Sequence, residues 1–514
     1  MAAARGILAL AATITTIAML SLHTHRRNNA PTQCLAGAAS GYAVSADATV
    51  VVVGVAESSH AAPVFRATVT ALDGAGKFLA LYSPESVAAV DGCGAALCVA
   101  VVAAGHPGAA ELRVALFAEY ASLEAATRGP TAAKTAVVPF LGAPVLEVRA
   151  PAAGAAAAGR GTLSALAAAH DRGAPAPFAP RGGLGHCGAA ARRRRASGAA
   201  AAPPAAAALR RARGRWTAAP AAAATLFSDA PRNRTCASRD GGPFEAAVVA
   251  DAFEAAGRRS AAAFAAAYEP PPAVAWAPDG CALRRFTVRG ARQCLRRRRV
   301  VFFGDSVTRH AASFLECELG FSGDVRYVPF RGTLPANGSA FRSQLAAGAD
   351  AAGPGATALL NFAGLWQCAY GDVDVYQNAV AELLADAKRR FAKVFLVATT
   401  AVFPHQLFGV AACDRKYSTR DDVPHHVAQG KRTMTEPRVE ALNDAASAAA
   451  RALGVHVVDA WSPTALASSD PLVPGDMRHH GPATTTAVAA TLLDAACASA
   501  LAPGVEVRPQ SSPN

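Results

Sequence analysis

The chain is short of large side chains. Aromatic residues make up 6% of its 514 positions, with 4 Trp, and alanine inflates an apolar content of 52%. Alanine buries little area, so stretches made of it cannot build a dense core. Long apolar runs are also scarce. Only residues 6–22 approach membrane-spanning length, which excludes a multi-pass membrane protein. The 43 Gly and 33 Pro show no Gly-X-Y period, which excludes collagen. None of the eleven cysteines forms a CxxC pair, which argues against a zinc ribbon or a thioredoxin motif.

What remains is basic, with 50 Lys and Arg against 37 Asp and Glu and a net charge of +13. The run 6–22 is uncharged, preceded by Arg5 and followed by Arg26 and Arg27. Residues 1–30 therefore read as a cleaved signal peptide or an uncleaved signal-anchor. The small-x-small triplet Ala36-Gly37-Ala38 lies well beyond the apolar run, which favours the anchor. A short span suits the thin membrane of the early secretory pathway, so a Golgi membrane protein with a luminal body is expected. A cleaved segment would make the chain secreted. Two sequons, at Asn233 and Asn337, agree with a luminal chain. An oxidising lumen favours disulfides, but nothing in the sequence fixes their pairing, and an odd cysteine count leaves one over.

Four textures follow. Residues 41–150 carry β-branched and alternating runs, such as Val50-Val51-Val52-Val53 and Val64 to Thr70, with a turn at Asp73-Gly74. Short strands at this spacing predict a β-sandwich of immunoglobulin-like type. Residues 151–232 are rich in Ala, Pro and Arg and read as a low-complexity linker. Its arginines, at 192–195, 210, 211, 213 and 215, lack interleaved aromatics, so nucleic-acid binding is not expected. Residues 233–502 alternate strand-like and helix-like runs. Strands are expected at 300–303, 325–330, 358–361, 393–400 and 455–459, and helices at 308–319, 375–391, 437–453 and 484–501. That alternation predicts a parallel sheet covered on both faces, with active residues beyond the carboxyl ends of its strands. Residues 503–514 read as a disordered tail.

The chemistry gathers at those strand ends. Gly304-Asp305-Ser306 follows the first strand. Glycine permits a sharp turn, and Ser306 then lies at a helix start, where free N–H groups and the helix dipole stabilise an oxyanion. A plain N-cap serine is the other reading. Asp476-Met477-Arg478-His479 precedes the final helix. A carboxylate three residues before a histidine on a turn orients the imidazole, which then takes a proton from a serine hydroxyl. His480 is an alternative base with poorer spacing. If Ser306 and His479 act together, folding must bring the hydroxyl within about 3–4 Å of an imidazole nitrogen. Asn361 ends a strand, so its amide is a candidate oxyanion donor, with a capping role as the alternative. Gly332 is a second candidate donor through its backbone N–H. Arg309 is a candidate substrate contact or a structural ion-pair partner. Asp421, Asp422, His425 and His426 offer metal-type ligands in a polar loop, where a solvated or substrate-facing insertion is the preferred reading. No metal or cofactor is expected.

Three motifs carry a resemblance: Gly304-Asp305-Ser306-Val307-Thr308-Arg309, Asn361-Phe362-Ala363-Gly364-Leu365-Trp366, and Gly475-Asp476-Met477-Arg478-His479-His480-Gly481. Residues 236–501 resemble the SGNH/GDSL hydrolase superfamily. Within it they most resemble the PC-esterase branch of neurexophilin-and-PC-esterase-domain, trichome-birefringence-like and sialate O-acetyltransferase luminal domains. The resemblance implies a three-layer α/β/α domain, with Ser306 as nucleophile, His479 as base and Asp476 as its orienting partner. Ser306, Asn361 and Gly332 would form the oxyanion hole. The implied substrate is an O-acetylated carbohydrate or glycoconjugate, handled by an esterase or an O-acetyltransferase whose acyl donor is unknown. Trichome-birefringence-like proteins carry a cysteine within the Asp-x-x-His segment, where this chain has Met477 and Arg478, which argues against the plant substrate. A non-catalytic luminal or extracellular binding protein on the same scaffold is the competing expectation.

Overall fold

The structure is a computed structural model that describes residues 40–44, 48–55, 64–90, 97–120, 146–151, 212–219, 226–227, 274–279, 281–320, 322–362, 364–403, 434, 436–466 and 478–497. The N-terminal segment expected to meet a membrane, the arginines at 192–195, 210 and 211, and the tail lie outside the described residues. Among the described residues no helix is long and apolar enough to cross a membrane.

The first half is antiparallel. Its strands are Ser40–Val44 (β1), Ala48–Val55 (β2), Val64–Leu72 (β3), Phe78–Tyr82 (β4), Ser86–Val90 (β5), Leu97–Ala104 (β6), Glu111–Tyr120 (β7), Leu146–Pro151 (β8), Gly214–Ala218 (β9) and Val274–Pro278 (β10). One sheet runs β1-β2-β6-β5 and the other β10-β9-β4-β3-β7-β8. The expected Asp73-Gly74 turn joins β3 to β4, with Asp73 Oδ1 accepting from the N–H groups of Ala75 and Lys77. Such an Asx arrangement gives the backbone its turn without a strand partner. The Tyr82 hydroxyl on β4 donates to the Ala104 carbonyl on β6 at 2.7 Å, bridging the two sheets.

Two strands correct the expected boundaries. The sequence predicts a linker over 151–232, but within it β9 pairs with β4, aligning Trp216 with Leu81. It predicts that 233–502 forms one α/β unit, but β10 pairs instead with β9, aligning Trp276 with Trp216. The antiparallel sheet therefore recruits chain from well beyond residue 150.

The second half is a mixed α/β arrangement built on a parallel sheet. Its elements are Val288–Arg298 (α1), Val300–Gly304 (β11), Ser306–Glu318 (α2), Arg326–Pro329 (β12), Gly338–Ala352 (α3), Thr357–Leu360 (β13), Gly364–Tyr370 (α4), Tyr376–Arg390 (α5), Lys393–Val397 (β14), Glu436–Ala452 (α6), His456–Val458 (β15), Trp461–Ala465 (α7) and Pro482–Cys497 (α8). The sheet order is β12-β11-β13-β14-β15, and every neighbouring pair is parallel. Strand alternation explains how both faces are covered. Val301 and Phe303 of β11 enter one core with Leu345 of α3, Leu383 of α5 and Leu442 of α6. Val300 and Phe302 enter the opposite core with Leu295 of α1, Leu315 of α2 and Leu492 of α8. A strand buried on both sides reads as a continuous apolar run, which is why Val300-Val301-Phe302-Phe303 was legible.

The arginines at 296–299 form a largely exposed helix end that leads directly into β11. Arg296, Arg297 and Arg298 occupy the last turn of α1, where cations complement the helix dipole, and Arg299 ends the helix in the left-handed conformation at φ 49°. A disulfide joins Cys294 of α1 to Cys497 of α8 across the second core, and Cys281 and Cys317 are also disulfide-bonded.

Candidate active site

In the sheet order β12-β11-β13-β14-β15 the chain runs outward from β11 to β12, then crosses back past β11 to β13, so the strand order reverses between β11 and β13. A crevice opens at that switch point, beyond the carboxyl ends of the strands. Ser306 stands just past β11, and Asn361 stands just past β13 with its N–H donating to Phe303 O at 2.8 Å. His479 arrives from the segment that leads into α8. Ser306 Oγ and His479 Nε2 are 2.9 Å apart. The structure thus brings together two residues that lie 173 positions apart, inside the distance the sequence reading required. His480, the alternative base, packs in a T-shaped contact with the Phe403 ring, with centroids 5.9 Å apart.

The cap of α2 is Asp305, not Ser306. Asp305 Oδ1 accepts from the N–H groups of Val307 at 3.0 Å and Thr308 at 3.3 Å. The Arg309 N–H reaches the Asp305 carbonyl at 2.9 Å. Three of the first-turn donors are therefore taken, and none of these bonds uses the Ser306 N–H. Relieved of capping, the Ser306 hydroxyl meets the imidazole. Gly304 is dictated by the same turn, since a Cβ there would lie 2.3 Å from Thr308 Oγ1.

Asp305 Oδ2 accepts from the Leu365 N–H at 3.3 Å, so the buried carboxylate also holds the first turn of α4. Asn361 completes that link. Its Oδ1 accepts from the Gly364 N–H at 2.9 Å. Because a backbone N–H can bond only to the amide oxygen, this contact fixes the flip and leaves the Asn361 NH₂ group as donor. The capping role is observed, and it leaves the amide's donor end uncommitted by that bond. Gly332, at φ 105°, lies in the loop after β12. The Phe330 N–H two residues earlier donates to Gly304 O at 2.7 Å, which sets this loop beside the Ser306 turn.

Two neighbours carried no signal of their own in the sequence. His310, one turn along α2 from Ser306, is buried with its ring 4.7 Å from that of His479. An i, i+4 spacing on a helix that begins at the serine could have marked it. Tyr327 on β12 donates to the carbonyls of Gly304 at 2.9 Å and Asp305 at 3.0 Å. Burial, reinforced by the Asp305 charge, pushes its phenol well above the ordinary range, so it stays a donor. Arg309 lies close enough to Tyr327 to oppose that shift, as does Arg331. Asp476 and the acidic and histidine residues at 421, 422, 425 and 426 lie outside the described residues. Among the described residues no group of three His, Cys, Asp or Glu side chains is placed to hold a metal.

Asp305→Ala should destabilise the fold by about 1–2 kcal/mol, the usual worth of a side-chain N-cap. Asp305→Asn, which keeps an acceptor for Val307 and Thr308, should lose less. Urea denaturation of both variants checks this. Equal losses would show that charge, not capping, is what Asp305 supplies.

No known protein family and no curated protein matches the chain. Among solved structures it is similar to an acetyl xylan esterase at 12% identity, covering 38% of this chain and 98% of that one with a TM-score of 0.27. It is also similar to a lipase/acylhydrolase from Enterococcus faecalis at 12% identity, 38% and 92% coverage and a TM-score of 0.27. A third is an acetylxylan esterase from Geobacillus stearothermophilus at 11% identity, 38% and 93% coverage and a TM-score of 0.26.

Proposed function

We propose that the chain is a serine acyl-ester enzyme of SGNH type, of the PC-esterase branch, acting on O-acetylated carbohydrate as an esterase or O-acetyltransferase. The observation that carries this reading is the 2.9 Å contact between Ser306 Oγ and His479 Nε2 at the start of α2. A serine engaged this way is an activated nucleophile. Ser306 Oγ attacks the ester carbonyl carbon while its proton passes to His479 Nε2. The carbonyl oxygen becomes an oxyanion, received by the Ser306 N–H, the Asn361 NH₂ group and the Gly332 N–H. Collapse breaks the bond to the sugar oxygen, which takes the proton from His479. Acetyl-Ser306 remains until water or a second sugar hydroxyl attacks it in the reverse sequence. Asp476 takes the role of orienting His479 and stabilising its imidazolium. A luminal setting in the secretory pathway, with residues 1–30 as a membrane anchor, agrees with the disulfide between Cys294 and Cys497. The paired antiparallel sheets serve as an immunoglobulin-like sandwich ahead of the catalytic part.

The test is incubation with a chromogenic acetyl ester, with and without a glycan acceptor, followed by mass spectrometry. Serine-dependent release with acetyl on Ser306 is the expected result. Acetylated acceptor marks a transferase, and acetate without it marks an esterase. Neither turnover nor acetyl-serine would favour the non-catalytic binding protein.

A further inference from the structure

Most large apolar side chains in the described residues are buried, but Trp366 is 37% and Tyr370 41% exposed. They stand one turn apart on α4, their rings stacked with centroids 5.6 Å apart and planes inclined by 28°. An exposed tryptophan stacked on an exposed tyrosine loses the burial that normally holds such groups, so it is an informative exception to the usual partition.

The place of the pair is set from two sides. The N-terminal turn of α4 hangs from the candidate site, through Asp305 Oδ2 to the Leu365 N–H and Asn361 Oδ1 to the Gly364 N–H. Trp366 is the next residue. At the other end burial raises the Tyr370 phenol, and Arg478 lies close enough to oppose that shift. Arg478 directly precedes His479, whose Nε2 meets Ser306. The aromatic pair thus stands on the helix whose first turn Asp305 and Asn361 anchor beside the Ser306 turn.

We propose that Trp366 and Tyr370 form a stacking subsite for a pyranose ring of the substrate, adjacent to the ester that Ser306 attacks. This rests on the acyl-ester reading above and names how that site would hold its substrate. A pyranose presents a face of C–H groups with partial positive charge, and an aromatic face carries the complementary negative quadrupole. Flat exposed rings give such a ring area and orientation while its hydroxyls stay in water. A small ester such as 4-nitrophenyl acetate carries no second ring to stack, so it reads Ser306 and His479 without the subsite.

The experiment compares wild type, Trp366→Ala, Trp366→Phe and Tyr370→Ala on 4-nitrophenyl acetate and on acetylated xylo-, chito- and galacturono-oligosaccharides. Trp366→Ala should lower kcat/KM on the oligosaccharides about five- to ten-fold more than on the small ester, mainly through KM. Trp366→Phe should restore much of the difference. An unchanged ratio between substrate types overturns the subsite, as does turnover of the small ester with no turnover of any oligosaccharide. Self-association in sedimentation that Trp366→Ala abolishes also overturns it, because the pair is then a subunit contact. Absence of wild-type turnover and of acetyl-Ser306 on every substrate overturns the acyl-ester reading itself, and the subsite with it.

Discussion

Ser306→Ala is expected to lower kcat on a chromogenic acetyl ester by at least about a thousand-fold while leaving stability close to wild type. The two halves of this expectation come from different atoms. The hydroxyl meets His479 Nε2 at 2.9 Å, so on the acyl-ester reading it is the group that attacks the ester. The helix, however, is capped by Asp305, whose carboxylate takes the Val307 and Thr308 N–H groups. Alanine at the first helical position costs the cap nothing. A variant that unfolds would therefore signal a structural role for Ser306 that these contacts do not give it. His479→Ala should reduce kcat by a similar factor. The double variant should be scarcely worse than either single one, since the two residues act as a unit. Steady-state kinetics beside urea denaturation measures both halves. Wild-type turnover in Ser306→Ala would refute the assignment of the nucleophile.

The parts of the molecule that could be read from the sequence are those whose determinants are local. The buried run at β11, the glycine beside Ser306 and the amphipathic stretches of α5 and α6 each carry their own periodicity. Ser306 and His479 were identifiable because each sits where a strand or turn meets a helix. The role of Asp305 was harder to see. Gly-Asp-Ser draws attention to the hydroxyl, but a carboxylate at the preceding position is the better cap once Ser306 turns to the imidazole. Strand β9 was not legible at all. Gly214–Ala218 is five residues in a stretch of Ala, Pro and Arg, and Trp216 is its one large apolar side chain. What makes it a strand is pairing with β4, far back in the chain, and with β10, well ahead of it. Its indole also donates to Pro463 O on α7 at 3.2 Å. Such information is tertiary and leaves no local trace.

The same contacts make the antiparallel half an integral part of the site's support, and Arg66 is where this should show most strongly. Arg66 lies on β3, yet its guanidinium is buried against the α/β half. It pairs with Glu436 of α6 at 3.3 Å, donates to Val402 O at 3.3 Å and lies over the Phe403 ring at 5.2 Å. Phe403 in turn meets His480, the neighbour of His479. Glu436 also accepts from the Val402 N–H at 2.8 Å and from the Trp461 indole. Burial pushes the Glu436 carboxyl above the ordinary carboxylate range, with Arg66 acting against that shift. Arg66→Ala removes the countercharge and leaves the carboxyl buried, at a cost of about 3–5 kcal/mol. The double variant Arg66→Met with Glu436→Gln should be more stable than Arg66→Ala alone, because it fills the volume and removes the orphaned charge, at the cost of one acceptor: the single amide oxygen serves either the Val402 N–H or the Trp461 indole, which use different oxygens of Glu436. Urea denaturation followed by tryptophan fluorescence tests the cycle. A loss below about 1 kcal/mol in Arg66→Ala would mean that solvent reaches Glu436 and that the two halves do not depend on this contact. A large loss rescued by the double variant would show that the strand-rich half secures the wall behind His480. A catalytic fragment cut away at the start of the parallel sheet should then fold poorly, because it would keep Glu436 without its arginine.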